Sequence, residues 1–399
     1  MLRFLVRTLT IVTLMLACVS PCAQAQMRQD TVVSFVTVFP GSEIYELEGH
    51  SAIRIELPSG EDIAVNFGLF NFNAPNFVYR FVKGETDYMV GAYPWQYFLD
   101  SYAGTGRRIT SQRIDMTGAQ KEELLRLLGE NLQPENRVYR YNYVLDNCAT
   151  RPLRLVELAM GDSILLSPAP FESQPLLKPT FRNVMRLYHS NYPWYQFGID
   201  LALGSGIDRP ITRREMSFAP AELERQLAGA TCGGRKLVAG EDAIVDTAPQ
   251  SATDGPTPWY LTPMAVFSLL FVVSAIVTVR DIRRRKVCRI FDTILFSALG
   301  LVGLLLTFLI FVSSHEATSP NWLYLWLNPF CLIVPLFIWL KNGKKVVLRY
   351  QIINFAVLIL LCALWPVIPQ SANPAFFLII GSELLRSGSY VFNELRVKS

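Results

Sequence analysis

Along the chain the apolar positions change their spacing once, and that change divides the molecule in two. Up to about residue 232 they alternate or recur at three- and four-residue intervals; beyond residue 258 they fuse into long runs. Residues 31–39 (TVVSFVTVF) form a β-rich run closed by Pro40 and Gly41. Further on, Ser51, Ile53, Ile55 and Leu57 alternate with Ala52, Arg54 and Glu56, which predicts a strand that His50 opens. PSGED reads as a turn and IAVNFGLFNF as a second strand, so residues 50–70 are expected to form a hairpin. Residues 71–110 are rich in aromatics, Gly and Asn and read as further strands and binding loops, with a helix start from Pro94 to Phe98. Thr117 precedes an amphipathic helix over residues 118–132, with Leu124, Leu125, Leu127 and Leu128 on its buried face. Two shorter helices are expected over residues 181–188 and 220–227.

Residues 137–161 (RVYRYNYVLDNCATRPLRLVELAMG) join two patterns. Val138 to Leu145 has the composition of an extended segment; Asp146 and Asn147 are types that cap a helix, and Pro152, Leu153, Leu155, Val156, Leu158 and Ala159 then repeat at helical spacing until Gly161. Cys148 is therefore expected where a strand hands over to the first turn of a helix. Unpaired backbone N–H groups and the positive end of the helix dipole meet there, which favours thiolate and offers donors to an oxyanion.

Beyond residue 258 the apolar runs lie near 260–279, 290–312, 322–340, 350–369 and 375–392. Each is long enough to cross a hydrocarbon core of about 30 Å at ~20 residues per helix, which predicts a five-helix transmembrane bundle. The loops 280–289 and 341–349 are strongly basic and the intervening ones are not, so the basic loops are expected in the cytoplasm. The N-terminal domain and the loop carrying His315 then share the outer side, with the C-terminus inside. Residues 1–25, with Arg3 and Arg7, an apolar run and Ala23-Gln-Ala25, read as a secretory signal peptide. A lipoprotein signal ending at Cys18 is the alternative, and the bulky Leu16 stands against it. The expected organisation is signal peptide 1–25, extracytoplasmic catalytic domain 26–232, Gly/Ala/Thr/Ser/Pro linker 233–258 and transmembrane domain 259–399.

Composition narrows the function. With 51% hydrophobic and 18% charged residues, the 399-residue chain is too apolar for one soluble domain. The net charge of +4 comes from Arg and Lys concentrated in two short loops, and no nucleic-acid patch, phosphate loop or dinucleotide fingerprint is present. Three histidines and no paired-cysteine spacing argue against a zinc site, and no metal or cofactor is expected. Of the 7 cysteines, only Cys148 and Cys232 belong to the exported domain. They either form a structural disulfide, as an oxidising compartment permits, or leave Cys148 free.

Cys148 and His50 are the one pairing that makes an activated nucleophile, the imidazole taking and returning the thiol proton at neutral pH. A third group should orient the imidazole, and Asn66 on the second hairpin strand is the candidate. If residues 58–61 form the loop, Asn66 faces away from His50; one residue more brings them to the same face. Asn147, or the Cys148 backbone N–H, would supply an oxyanion hole, and Asp146 reads as a cap. His315, with Glu316, Asn321 and Asn328 close by, is either an ordinary outer loop or a site at the membrane surface that handles lipid headgroups or completes the active site from below. Arg151, Asn147, His315 and Asn321 are the expected substrate contacts. Glu383 and Arg386, one turn apart in the last apolar run, should pair or face the bundle.

Taken together, ELEGHSAIRI, AVNFGLFNF, PENRVYRYNYVLDNCATRP, FGIDLALG and HEATSPNWLYLWLNP resemble the bacterial lipoprotein N-acyltransferase family called Lnb, over nearly the whole chain. A fainter similarity, resting on the early His and the Asn-Cys pair, is to permuted NlpC-type and lecithin retinol acyltransferase proteins. The resemblance implies an α+β fold, with a permuted papain-like extracytoplasmic domain ahead of the membrane helices. It implies transfer of the sn-2 acyl chain of a diacylglyceryl lipoprotein to the α-amine of that lipoprotein's N-terminal cysteine, through a Cys148 thioester. The implied partners are diacylglyceryl lipoproteins and membrane lipid, in the bacterial inner (cytoplasmic) membrane. A membrane-anchored cysteine peptidase or amidase, or a non-catalytic sensor, are the other readings.

Overall fold

The computed structural model describes residues 30–71, 73–161, 163–173, 178–247 and 256–396; the signal-peptide expectation falls outside them. An antiparallel seven-stranded sheet organises the N-terminal half. Its strands are β1 (Val32–Val38), β2 (His50–Glu56), β3 (Asp62–Leu69), β4 (Asp87–Pro94), β5 (Ile109–Ile114), β6 (Val138–Arg140) and a strand from Val238 to Val245. With the two-residue strands β7 (Ile164–Leu165), β8 (Thr231–Cys232) and β9 (Arg235–Lys236) in a separate small sheet, the seventh is β10, and the order is β10-β5-β1-β2-β3-β4-β6. β1 and β2 are central and covered on both faces, which is why the 31–39 run is apolar without alternation. On one face Val33, Phe35, Ile53, Ile55, Val65 and Phe67 pack with Leu124, Leu128, Leu153 and Val156. On the other, Val36, Val38, Ala52 and Ala64 pack with Trp95 and Phe98.

The helices of this domain are α1 (Phe77–Lys83), α2 (Trp95–Tyr102), α3 (Gly118–Leu132), α4 (Thr150–Met160), α5 (Phe181–Tyr188), α6 (Pro193–Ala202), α7 (Arg213–Met216) and α8 (Pro220–Ala228). α3 starts where Thr117 and Gln120 close a reciprocal capping box, an arrangement worth about 1 kcal/mol. Helices α5 to α7 carry their own core, built on Phe171, Phe181, Met185, Ile207 and Phe218.

Residues 233–245 are not a linker. The Gly233-Gly234 pair makes a tight turn with positive φ at both residues, and the chain then runs as β10 along the edge of β5. Small and polar residues serve an edge strand whose outer side faces water, so composition alone does not separate the two cases. Cys232, next to that glycine pair, is buried in β8 opposite Ile164.

Among the described residues, the C-terminal half holds four helices long and apolar enough to cross a membrane, α9 (Pro263–Arg284), α10 (Arg289–Phe311), α12 (Lys344–Leu364, continued to Val367 by a 3-10 turn) and α13 (Pro374–Arg396). The fifth expected helix is broken. Residues 322–337 form two 3-10 turns, Trp322–Leu325 and Pro329–Leu332, and a short helix α11 (Ile333–Phe337). The break has a local cause. The Asn321 and Asn328 side chains accept from the Leu323 and Phe330 amides, restarting the chain twice, and Pro329 and Pro335 supply no N–H. The segment still runs antiparallel to α10. A Cβ at Gly303 would lie 2.3 Å from the Asn328 carbonyl carbon, one at Gly300 would lie 2.5 Å from Leu332 Cγ, and Trp339 Nε1 donates to Thr293 Oγ1 at 2.9 Å. Glu383 and Arg386 both face the bundle but do not pair: Arg386 donates to Asp281 and Asp292, and Glu383 accepts from Asn354.

The two halves are joined by specific bonds. Buried Arg182 holds Asp200 (3.1 Å) and Asp208 (2.8 Å), and Asp200 also accepts from Arg186 and from Asn373 of the loop before α13. Asn321 donates to Leu201 O at 2.9 Å.

Candidate active site

Three strands and one helix converge on Cys148. His50 is the first residue of β2 and Asn66 lies in β3, whose partners run Ala52↔Asn66 to Glu56↔Asp62. The loop is therefore residues 57–61, the longer of the two possibilities, and His50 and Asn66 share a face. The His50 Nε2–H donates to Asn66 Oδ1 at 2.6 Å, and Asn66 Nδ2 donates to the Tyr93 hydroxyl at 2.6 Å. Because Nε2 carries the proton, Nδ1 of the neutral ring is the nitrogen left to act as base.

Cys148 is buried two residues before α4, and it is a free thiol, as is Cys232. The disulfide alternative is thereby excluded. Burial by itself would push the thiol pKa up, but the charge of the His50 imidazolium and its hydrogen bond, the Ser51 amide and the Tyr141 hydroxyl together hold it below the ordinary thiol range. Reciprocally, burial would lower the His50 pKa, yet the thiolate charge, its hydrogen bond and Asn66 raise it above the usual imidazole value. The pair thus leans toward thiolate and imidazolium.

Tyr141, which the sequence reading used only as strand material, completes the site. Its hydroxyl lies 3.8 Å from Cys148 Sγ and 3.5 Å from the Cys148 amide nitrogen, and its ring stacks on Tyr88 at 4.4 Å. Space for it depends on Gly68, where φ is +83° and an added Cβ would lie 3.1 Å from Tyr141 Cε2. The expected extended run stops at Arg140, and residues 142–146 form a turn closed by paired backbone bonds between Asn142 and Asp146. Glu48 and His189 were also missed. The His189 Nε2 lies 2.6 Å from Glu48 Oε1, both groups being buried, which pins the chain just before His50.

The other expected site residues have structural tasks. Asn147 is buried: its Oδ1 accepts from the Ala149 and Thr150 amides, and its Nδ2 donates to Tyr143 O and Phe218 O. No donor of that side chain is left for an oxyanion, so the Cys148 amide is the remaining local candidate. Arg151 is held by Asp146 (Nε to Oδ1 2.9 Å) and lies over the Tyr139 ring at 3.6 Å. Asn321 is engaged by Leu201, Leu323 and Gln370. His315 Nε2 donates to Phe81 O at 2.8 Å, and neighbouring Glu316 accepts from Asn142 Nδ2 at 3.3 Å, so this loop fastens the bundle to α1 and to the turn that precedes Cys148.

Comparison with protein families matches both halves. Residues 20–184 match the Lnb N-terminal periplasmic domain, and residues 256–398 match the Lnb transmembrane domain. Searches of curated proteins and of solved structures returned no match. With a mixed α/β periplasmic domain joined to a helical membrane region in that order, the chain belongs to the Lnb family.

Proposed function

We propose that the protein is a lipoprotein N-acyltransferase of the bacterial inner membrane, with Cys148 as nucleophile, His50 as general base and acid, and Asn66 orienting the imidazole. The observation that carries this reading is the line of bonds from Cys148 through His50 to Asn66 and Tyr93, in a domain fastened to the outer end of a membrane bundle. The order of parts, His on one strand, Asn on the next and Cys ahead of a later helix, is that of a permuted papain-like fold. On this reading the broken 322–337 segment is a fifth crossing, which keeps the 280–289 and 341–349 loops on the cytoplasmic side.

The thiolate attacks the sn-2 ester carbonyl of the diacylglyceryl group. A C–S bond forms, the Cys148 N–H takes the developing oxyanion, and the C–O bond breaks as His50 gives its proton to the departing glyceryl oxygen. The neutral α-amine of the same lipoprotein then attacks the thioester. Its proton passes to His50, the C–S bond breaks, and thiolate and imidazolium are restored beside an N-acylated lyso-lipoprotein. Both reacting groups belong to one bound molecule, so the second step is effectively intramolecular.

The test is mass spectrometry of lipoproteins from cells carrying Cys148→Ser. The diacyl form should persist and the lyso form disappear, with the variant still inserted in the membrane; unchanged conversion would exclude Cys148 as nucleophile.

A further inference from the structure

No residue of α1 is buried, although it reads FVYRFVK, and Val78, Tyr79 and Phe81 are 73%, 55% and 47% exposed. A helix this apolar is unfavourable against water and at home in the interface of a bilayer. It lies at the end of α10 that bears the His315 loop. The Tyr79 ring is 6.1 Å from Phe308, and the Ser313 and Ser314 hydroxyls donate to Val82 O (2.9 Å) and Gly84 O (2.9 Å). Between α1 and α10 runs an open groove of about 760 Å³, lined chiefly by Phe77, Val78, Tyr79, Val82 and Phe308.

From this groove a line of rings leads to the nucleophile. Phe77 stacks on Phe70 at 5.8 Å, Phe70 meets Tyr88 at 5.1 Å, Tyr88 stacks on Tyr141 at 4.4 Å, and the Tyr141 hydroxyl is 3.8 Å from Cys148 Sγ. All four residues keep part of their surface exposed. The two cations of α1 are already matched, Arg80 to Asp87 at 2.8 Å and Lys83 to Glu85 at 2.7 Å. Among the described residues the groove's lining is mainly apolar and includes no cation for a phosphate.

We propose that this groove and ring line are the acyl-chain path of the enzyme. One acyl chain of the diacylglyceryl anchor of the lipoprotein leaves the outer leaflet between α1 and α10. It lies along Phe77, Phe70 and Tyr88 and delivers its ester to Cys148. This inference rests on the acyltransferase reading and names where its lipid substrate binds; the paired cations favour the phosphate-free lipoprotein anchor over a phospholipid.

The experiment uses the full chain as Cys148→Ala in lipid nanodiscs, with a synthetic diacylglyceryl-cysteine lipopeptide carrying a diazirine in one acyl chain. Crosslinks mapped by mass spectrometry should concentrate on α1, Phe70 and Phe308 and survive an excess of phosphatidylglycerol. Val78→Asp, at an exposed position that folding does not need, should cut them by about tenfold, since a carboxylate in the groove opposes an apolar chain. Crosslinks spread over α9 to α13 and sparing α1, loss to phosphatidylglycerol, or indifference to Val78→Asp would each overturn the path. Crosslinking involves no thiol chemistry. A mapped path with no transfer by the unmodified protein would sink the transferase and spare the groove; transfer without the path would do the reverse.

Discussion

Asn66 Oδ1 accepts from His50 Nε2 at 2.6 Å because Asn66 stands opposite Ala52, two residues along β2 from His50, on the same face of the sheet. A neutral amide in this position fixes the tautomer of the ring without adding charge, leaving Nδ1 as the nitrogen with a free lone pair. Its own orientation is fixed by the bond from Nδ2 to Tyr93.

Removing that amide should therefore loosen the base without removing it. Asn66→Ala is expected to slow acyl transfer roughly tenfold, the equivalent of about 1.4 kcal/mol for one oriented hydrogen bond. Asn66→Asp should retain more activity, because a carboxylate also accepts from Nε2. Initial rates on a diacylglyceryl lipopeptide, with thermal unfolding as the control for folding, decide it; equal rates in both variants would remove Asn66 from the machinery.

The pH dependence follows from the opposed shifts of the pair. The Cys148 thiol is lowered and the His50 imidazole raised, so each charge favours the other and thiolate forms at lower pH than it would without the imidazolium. Iodoacetamide alkylation of Cys148 should then persist at pH values below those at which an ordinary thiol, with pKa about 8.5, reacts. In His50→Ala the imidazolium charge and its hydrogen bond are gone while burial still pushes the thiol up, so the alkylation midpoint should move to higher pH. An unmoved midpoint would mean that His50 does not set the thiol.

How much of this site could be read in advance depended on whether each cause was local. The helix over Gly118–Leu132 and its cap, the stop at Gly161 and the His50 strand follow from neighbours in sequence, and the structure has them at those positions. The face of Asn66 turned on one loop residue, which composition does not fix. Tyr141 stands among three tyrosines in YRYNY, and only the left-handed Gly68 across the sheet selects it as the one against the sulfur. In the membrane half hydropathy located every apolar run, but not that Asn321, Asn328 and two prolines would break the third. Asn147 was misjudged for a related reason: the property that suits an amide to an oxyanion also suits it to cap the turn before α4.

Buried charge at the junction of the halves yields a prediction about stability. Arg182 is wholly buried and binds both Asp200 and Asp208, and Asp200 in turn holds Arg186 and Asn373. Arg182→Ala leaves two carboxylates buried with fewer partners, and the expected loss is about 3–5 kcal/mol. Arg126→Ala, which breaks only exposed pairs on α3, should cost far less. Thermal unfolding of the two variants in the same detergent provides the comparison, and similar losses would show that the buried cluster is not a keystone of the junction.

Tyr141 can be tested from both sides of its contact. Tyr141→Phe keeps the stack on Tyr88 but removes the hydroxyl that helps hold the thiol pKa down, so the alkylation midpoint should rise with unfolding temperature nearly unchanged. Gly68→Ala attacks the same contact through the backbone. Its φ of +83° is unfavourable for any L side chain, and the added Cβ would meet the Tyr141 ring at 3.1 Å, so the residue must shift or the ring must move. The strain should be on the order of 1–3 kcal/mol in stability, together with a loss of Cys148 reactivity that Tyr141→Phe alone does not match. If instead Gly68→Ala were as stable and as reactive as the parent, the close approach of β3 to Tyr141 would not be what shapes the thiol's surroundings.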